Sequence, residues 1–233
     1  MKIFTGEQAA FLDSVTREIP IILDNFNVVA RLDPSVRWQW SEEMLREVYR
    51  DGWFVNTPVG VREEAETVWD HKSAHLYQLI EQYYPAEMQA TLKAYADVHD
   101  NQEAIAHALI NGVRRDLNPR FNKNSYVITD EQKEGVEEIA ISMLLEGEPE
   151  KMAIWREYKA KEAKTSLEFS CLDKLCVMWK CVSFVKSGQY KYPDFQAYWN
   201  YWSLDQVREK TPSVIAKAYE EDLWPRIQRL GVG

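Results

Sequence analysis

Strand signals are nearly absent from this chain of 233 residues, and so are alternating apolar and polar runs. That excludes the sandwich and barrel classes and leaves a helical protein. Basic excess is missing too: the formal charge is −9 at pH 7, with 37 acidic against 28 basic side chains. A general nucleic-acid surface needs a basic footprint, so a nucleic-acid polymer is not an expected partner, whereas a small phosphorylated molecule held by a few local cations is compatible. No stretch approaches 18 apolar residues, and Met1-Lys2-Ile3 does not open a signal peptide, so neither a membrane span nor secretion is expected and the cytoplasm is the expected compartment. Cysteine is scarce and odd in number: Cys171, Cys176 and Cys181 sit five apart in a helical segment. Such spacing turns each thiol away from the last, which excludes a shared zinc site and fits small buried side chains. Internal repeats and low-complexity linkers are also lacking.

What is present is helical periodicity. Val136, Ile139, Ala140, Met143 and Leu144 follow the spacing of one buried helix face, and so do Leu172, Leu175, Cys176, Trp179 and Val182. Met88, Leu92, Tyr95 and His99 form a third stripe, which predicts His99 on the inward side of its helix. Proline and glycine mark the joints, among them Pro58 with Gly60, Asn118-Pro119, Gly147 with Pro149, Gly188 and Pro193. The expectation is an all-α protein. Residues 1–48 read as two helices broken near Asp33-Pro34, an extension packed on a main domain over 49–233. Trp199, Tyr201, Trp202, Tyr219 and Trp224 crowd the final forty residues and are expected in the core or at a dimer face.

All four histidines fall between 71 and 107, and two of them open the order His71 … His99-Asp100 … Asp173. Two imidazoles and two carboxylates, with water completing the shell, suit a single Mn, Co, Fe, Ni or Mg ion better than structural zinc. This set points to a metal-dependent hydrolase. His75 lies one helical turn after His71 and is expected to support the site. Glu103, three residues after Asp100, projects from nearly the same side of a continuing helix, where a carboxylate can hold an attacking water or protonate a leaving oxygen. Asp173, inside Leu172-Asp173-Lys174-Leu175, gains meaning only with the other three. Arg114, Arg115, Arg120 and Lys123 suit phosphate recognition or a solubilising loop. Arg50 and Trp53 offer a cation for phosphate and a ring that packs on a sugar or in the core. Lys72 is a further candidate for neutralising charge.

The same order on a helical background resembles the HD-domain phosphohydrolase superfamily. The run Arg50–Trp53, Glu66-Thr67-Val68 up to His71, and His99-Asp100-Asn101-Gln102-Glu103 are similar to its 5'-deoxynucleotidase branch. So are Trp155-Arg156-Glu157-Tyr158, Glu162-Ala163-Lys164 and Leu172-Asp173-Lys174-Leu175-Cys176. The resemblance spans residues 50–205. It implies an HD-domain helical bundle that often forms homodimers. It also implies one divalent ion held by His71, His99, Asp100 and Asp173, with Glu103 as general acid/base and Arg50 near the 5'-phosphate. The implied activity is release of phosphate from (deoxy)nucleoside 5'-monophosphates. Nucleoside triphosphates, cyclic nucleotides and alarmones would use the same ligands, and a non-catalytic metal-containing nucleotide-binding module is the alternative from another class. This chain departs from the bacterial members where they carry an aspartate after the glutamate: it has Ala108, with His107 beside it as a possible helper.

Overall fold

The computed structural model describes residues 4–17, 19–50, 76–110, 126–186, 188 and 190–231. As expected, the fold is all-α. Its elements are α1 (Gly6–Thr16), α2 (Pro20–Arg31), α3 (Pro34–Arg50), α4 (residues 76–83), α5 (Ala86–Val98) and α6 (Glu103–Ala106). After them come α7 (Asp130–Leu144), α8 (Pro149–Ala160), α9 (Lys164–Lys186), a 3₁₀ turn at Tyr192–Phe195, α10 (Gln196–Tyr201) and α11 (Leu204–Lys210). Then α12 (Ser213–Ala218) passes through a π-helical turn at Tyr219–Leu223 into α13 (Trp224–Gly231). The one sheet among the described residues is a parallel pair of two-residue strands, β1 (Leu109–Ile110) beside β2 (Tyr126–Val127). No described helix is long and apolar enough to cross a membrane.

The chain forms two compact units, and each draws on two separate stretches of sequence. The first comprises residues 1–69 and 99–153, the second residues 70–98 and 154–233.

In the first unit, α1, α2, α6 and α7 share a mostly aliphatic core. Leu12, Val15, Ile22, Phe26 and Val29 meet Ile105, Val136, Ala140 and Leu144 there. The stripe expected from Val136 to Leu144 is buried at every position. Local chemistry starts these helices. Thr5 and Gln8 form a capping box on α1, and Thr129 and Gln132 another on α7, each side chain bonding the other's amide. Pro20 and Pro34 occupy first-turn positions, where the missing N–H has no intrahelical partner to lose. Gly135 lets Phe11 lie against α7, because a Cβ there would stand 2.5 Å from the end of the ring. Arg37 on α3 is fully buried, donating to the carbonyls of Leu32 and Met143 and pairing with Glu146. It satisfies oxygens at the ends of α2 and α7 that their own helices leave open.

The second unit is built around α9, against which α5 and α13 pack. Its stripe of Leu172, Leu175, Cys176, Trp179 and Val182 is buried as the periodicity predicts. All three cysteines are free, with Cys176 and Cys181 buried and Cys171 partly so. Rings dominate the rest. Phe169 makes edge-to-face contacts with Tyr95 and Tyr158, and Phe184, Tyr190, Phe195 and Trp199 form a chain of ring contacts. Of the C-terminal aromatics, Trp199 and Tyr219 belong to the core, while Tyr201 is exposed. The Tyr219 ring stacks on Trp224 and its hydroxyl donates to the Trp202 carbonyl.

Candidate functional site

His99, Asp100 and Glu103 belong to the first unit and Asp173 to the second. His71, Lys72, His75, Trp53 and Arg114 lie outside the described residues, as does the side chain of Arg50. Among the described residues no three His, Cys, Asp or Glu side chains come together as a metal-holding group. The described part of the expected ligand set is therefore the pair His99 and Asp100, and, separately, a half-buried Asp173 on α9.

The structure corrects the backbone on which that pair was placed. Helix α5 ends at Val98, and His99 to Gln102 form a turn rather than a further helical turn. Glu103 then begins α6, a helix of four residues. His99 is buried, as the stripe implied, but it reaches the interior from this turn. Side chains hold the turn in place. Gln102 donates to the His99 carbonyl at 2.8 Å, and Asn101, itself buried, donates to Ser41 Oγ at 2.9 Å and to Glu42 Oε1 at 3.3 Å on α3. The Glu103 amide donates to the Asp100 carbonyl at 2.8 Å. One of the side-chain bonds caps a turn carbonyl from Gln102, and the other two tie the Asn101 side chain to side chains of α3.

Within the turn, His99 Nε2 lies 3.3 Å from Asp100 Oδ2. This is long for a nitrogen–oxygen hydrogen bond. An imidazole nitrogen and a carboxylate oxygen thus stand side by side in this turn, the mixed donor chemistry on which the sequence expectation rests.

One turn further on, Glu103 meets a group that lies outside the sequence motif. Lys133 on α7 places its Nζ 3.2 Å from Glu103 Oε1 and also pairs with Glu137, one helical turn along α7. Exposure of the three side chains is 17%, 14% and 7% for Glu103, Lys133 and Glu137, so the ion pairs are largely withdrawn from water. At the other end of α6, His107 Nδ1 donates to the Glu103 carbonyl at 3.2 Å. Burial holds the His107 imidazole below its ordinary range, and the nearby Glu103 carboxylate opposes that shift. A signal for Lys133 and Glu137 did exist: positions 133, 137, 140 and 144 continue the buried stripe of α7, and charges inside such a stripe need partners. Which partner they would find was not legible, because Glu103 is 30 residues away.

The second unit holds other buried polar groups, on α9 and at Tyr84. Glu168 is almost fully buried, with Lys164 Nζ 3.5 Å from its carboxylate. Burial, reinforced by the neighbouring Glu168 charge, pushes the Tyr84 hydroxyl far above its ordinary range. Burial likewise raises the Cys171 thiol, against the opposing pull of Lys174. A raised thiol is a weak nucleophile, in keeping with a structural cysteine.

No family model matches the chain, and no curated protein or solved structure matches it either.

Proposed function

We propose that this protein is a metal-dependent phosphohydrolase of the HD type, releasing phosphate from (deoxy)nucleoside 5'-monophosphates. The observation that carries the reading is the His99–Asp100 turn: a buried imidazole and a carboxylate 3.3 Å apart, with Glu103 opening the next helix. A structural helical protein has little use for an imidazole withdrawn from water at the end of an apolar stripe, since buried polar groups need partners, with a partly exposed carboxylate beside it. His71 and Asp173 are the further ligands that the family resemblance implies. A divalent ion bound there supplies a water of lowered pKa and polarises a phosphoryl oxygen.

The chain's own groups do the rest. Glu103 moves the proton between the attacking water and the leaving 5'-oxygen. Arg50, Lys72 and Arg114 bind the phosphate and offset the negative charge that grows on it during transfer. Trp53 and His75 are the remaining proposed substrate contacts.

The test is phosphate release from a panel of deoxynucleoside and ribonucleoside 5'-monophosphates with Mn or Co, beside Asp100→Ala and Glu103→Ala. The expected result is release confined to monophosphates, loss of both metal and turnover in Asp100→Ala, and loss of turnover alone in Glu103→Ala. Wild-type protein that holds no divalent metal after loading would end this reading. Metal without release would move the substrate to a triphosphate, cyclic nucleotide or alarmone.

A further inference from the structure

We infer that Lys133 is a positioning residue: tethered by Glu137 on its own helix, its ammonium reaches across to fix the carboxylate of Glu103. The inference rests on the reading of Glu103 as the group that moves the proton, and it adds a residue which the motif does not contain.

Several observations converge on Lys133. Lysine is rarely buried without a partner, because withdrawing an ammonium from water is costly. Here only 14% of the side chain is exposed, and it lies between two carboxylates. Glu137, at i+4, is the local partner that any helix would supply. The bond to Glu103, 30 residues away, is the one that only the tertiary fold can create. An ammonium has three donors, so holding Glu137 leaves capacity for Glu103. The helix that carries Lys133 is itself anchored: the capping box at Thr129 and Gln132 closes its first turn immediately before Lys133.

Glu103, by contrast, stands at the first position of a four-residue helix. So short an element has no helical cooperativity of its own. Its geometry is set from outside, by the Asp100 carbonyl before it, by His107 behind it, and by Lys133 at the carboxylate. Of these, Lys133 alone touches the carboxylate oxygen. A general acid/base works only when its oxygen is held in hydrogen-bond reach of the proton it transfers, and small misplacements cost rate steeply.

The experiment compares Lys133→Met and Lys133→Arg in the full chain, with Glu137→Gln added to Lys133→Met in a third protein so that no carboxylate is left buried opposite methionine on α7. Four quantities are measured: kcat, KM, bound divalent metal per chain, and the position of Glu103 in crystals. The expected outcome is a kcat about 10- to 100-fold lower in both methionine proteins. KM and metal content should stay near wild type, arginine should restore most of the rate, and the Glu103 carboxylate should leave its wild-type position. Wild-type kcat in the folded double variant would overturn the inference, as would an unmoved Glu103 or an arginine protein no better than methionine. If the wild-type chain releases no phosphate, the proposed function fails, while the placement of Glu103 still judges the role of Lys133.

Discussion

Among the described residues of the first unit the largest fully buried side chains are Arg37 and Phe26, set among aliphatic residues. In the second they are Trp155, Tyr95, Tyr219, Phe169, Phe184 and Phe195. The first interior thus holds Lys133 between Glu103 and Glu137 and a buried Arg37 that reaches the half-exposed Glu146, while the second is filled mainly with rings in edge-to-face and stacked contact, with the Glu168 carboxylate near Lys164 as a charged exception. The materials behave differently. Rings contribute area and dispersion and tolerate small shifts. Buried charges return little net stability, because desolvation offsets their attraction, but they hold their partners in one arrangement. Glu103, the carboxylate proposed to move the proton, lies in the charged interior.

The comparison is most sharply tested by removing one member of each interior. Phe169→Ala deletes a ring packed between Tyr95 and Tyr158, and should cost about 3–5 kcal/mol of unfolding free energy in urea titration, nearly independent of salt. A loss below about 1 kcal/mol would mean that the ring cluster is loosely packed. Arg37→Met keeps the volume but strips donors from the Leu32 and Met143 carbonyls, and should cost about 2–3 kcal/mol. The loss is smaller because Glu146 is half exposed and can return to water. A neutral result would show that the charged interior is not structural at that point.

The smallest effect concerns pH. His107 titrates below its usual 6.5 in the folded chain, chiefly through burial. As pH falls through about 6.5 the unfolded chain takes up that proton first, so folding stability declines with falling pH. His107→Gln should flatten this part of the melting-temperature profile without changing it at higher pH. An unchanged slope would assign the acid sensitivity to other groups.

Much of the architecture was legible from residue order because helices are local. The stripes at 136–144 and 172–182 are buried as their period of 3.6 requires, and Cys176 and Cys181 are buried, as expected of small apolar side chains. His99 beside Asp100 is a fact of covalent adjacency, and any fold would keep the two residues together. The end of α5 at Val98 was not legible, since the apolar stripe runs on to His99 and only the bonds of Asn101 and Gln102 close the turn.

Two further features were decided by tertiary structure alone. Residues 6–31, within the stretch 1–48 expected as an extension packed on a main domain, supply much of the first unit's core through contacts with residues 105–144. Lys133 reaches Glu103 across 30 residues, a distance at which neither helical period nor motif spacing carries information. Periodicity reports which face of a helix is buried; what that face meets depends on how the chain returns, and that is settled only when the units close around their cores.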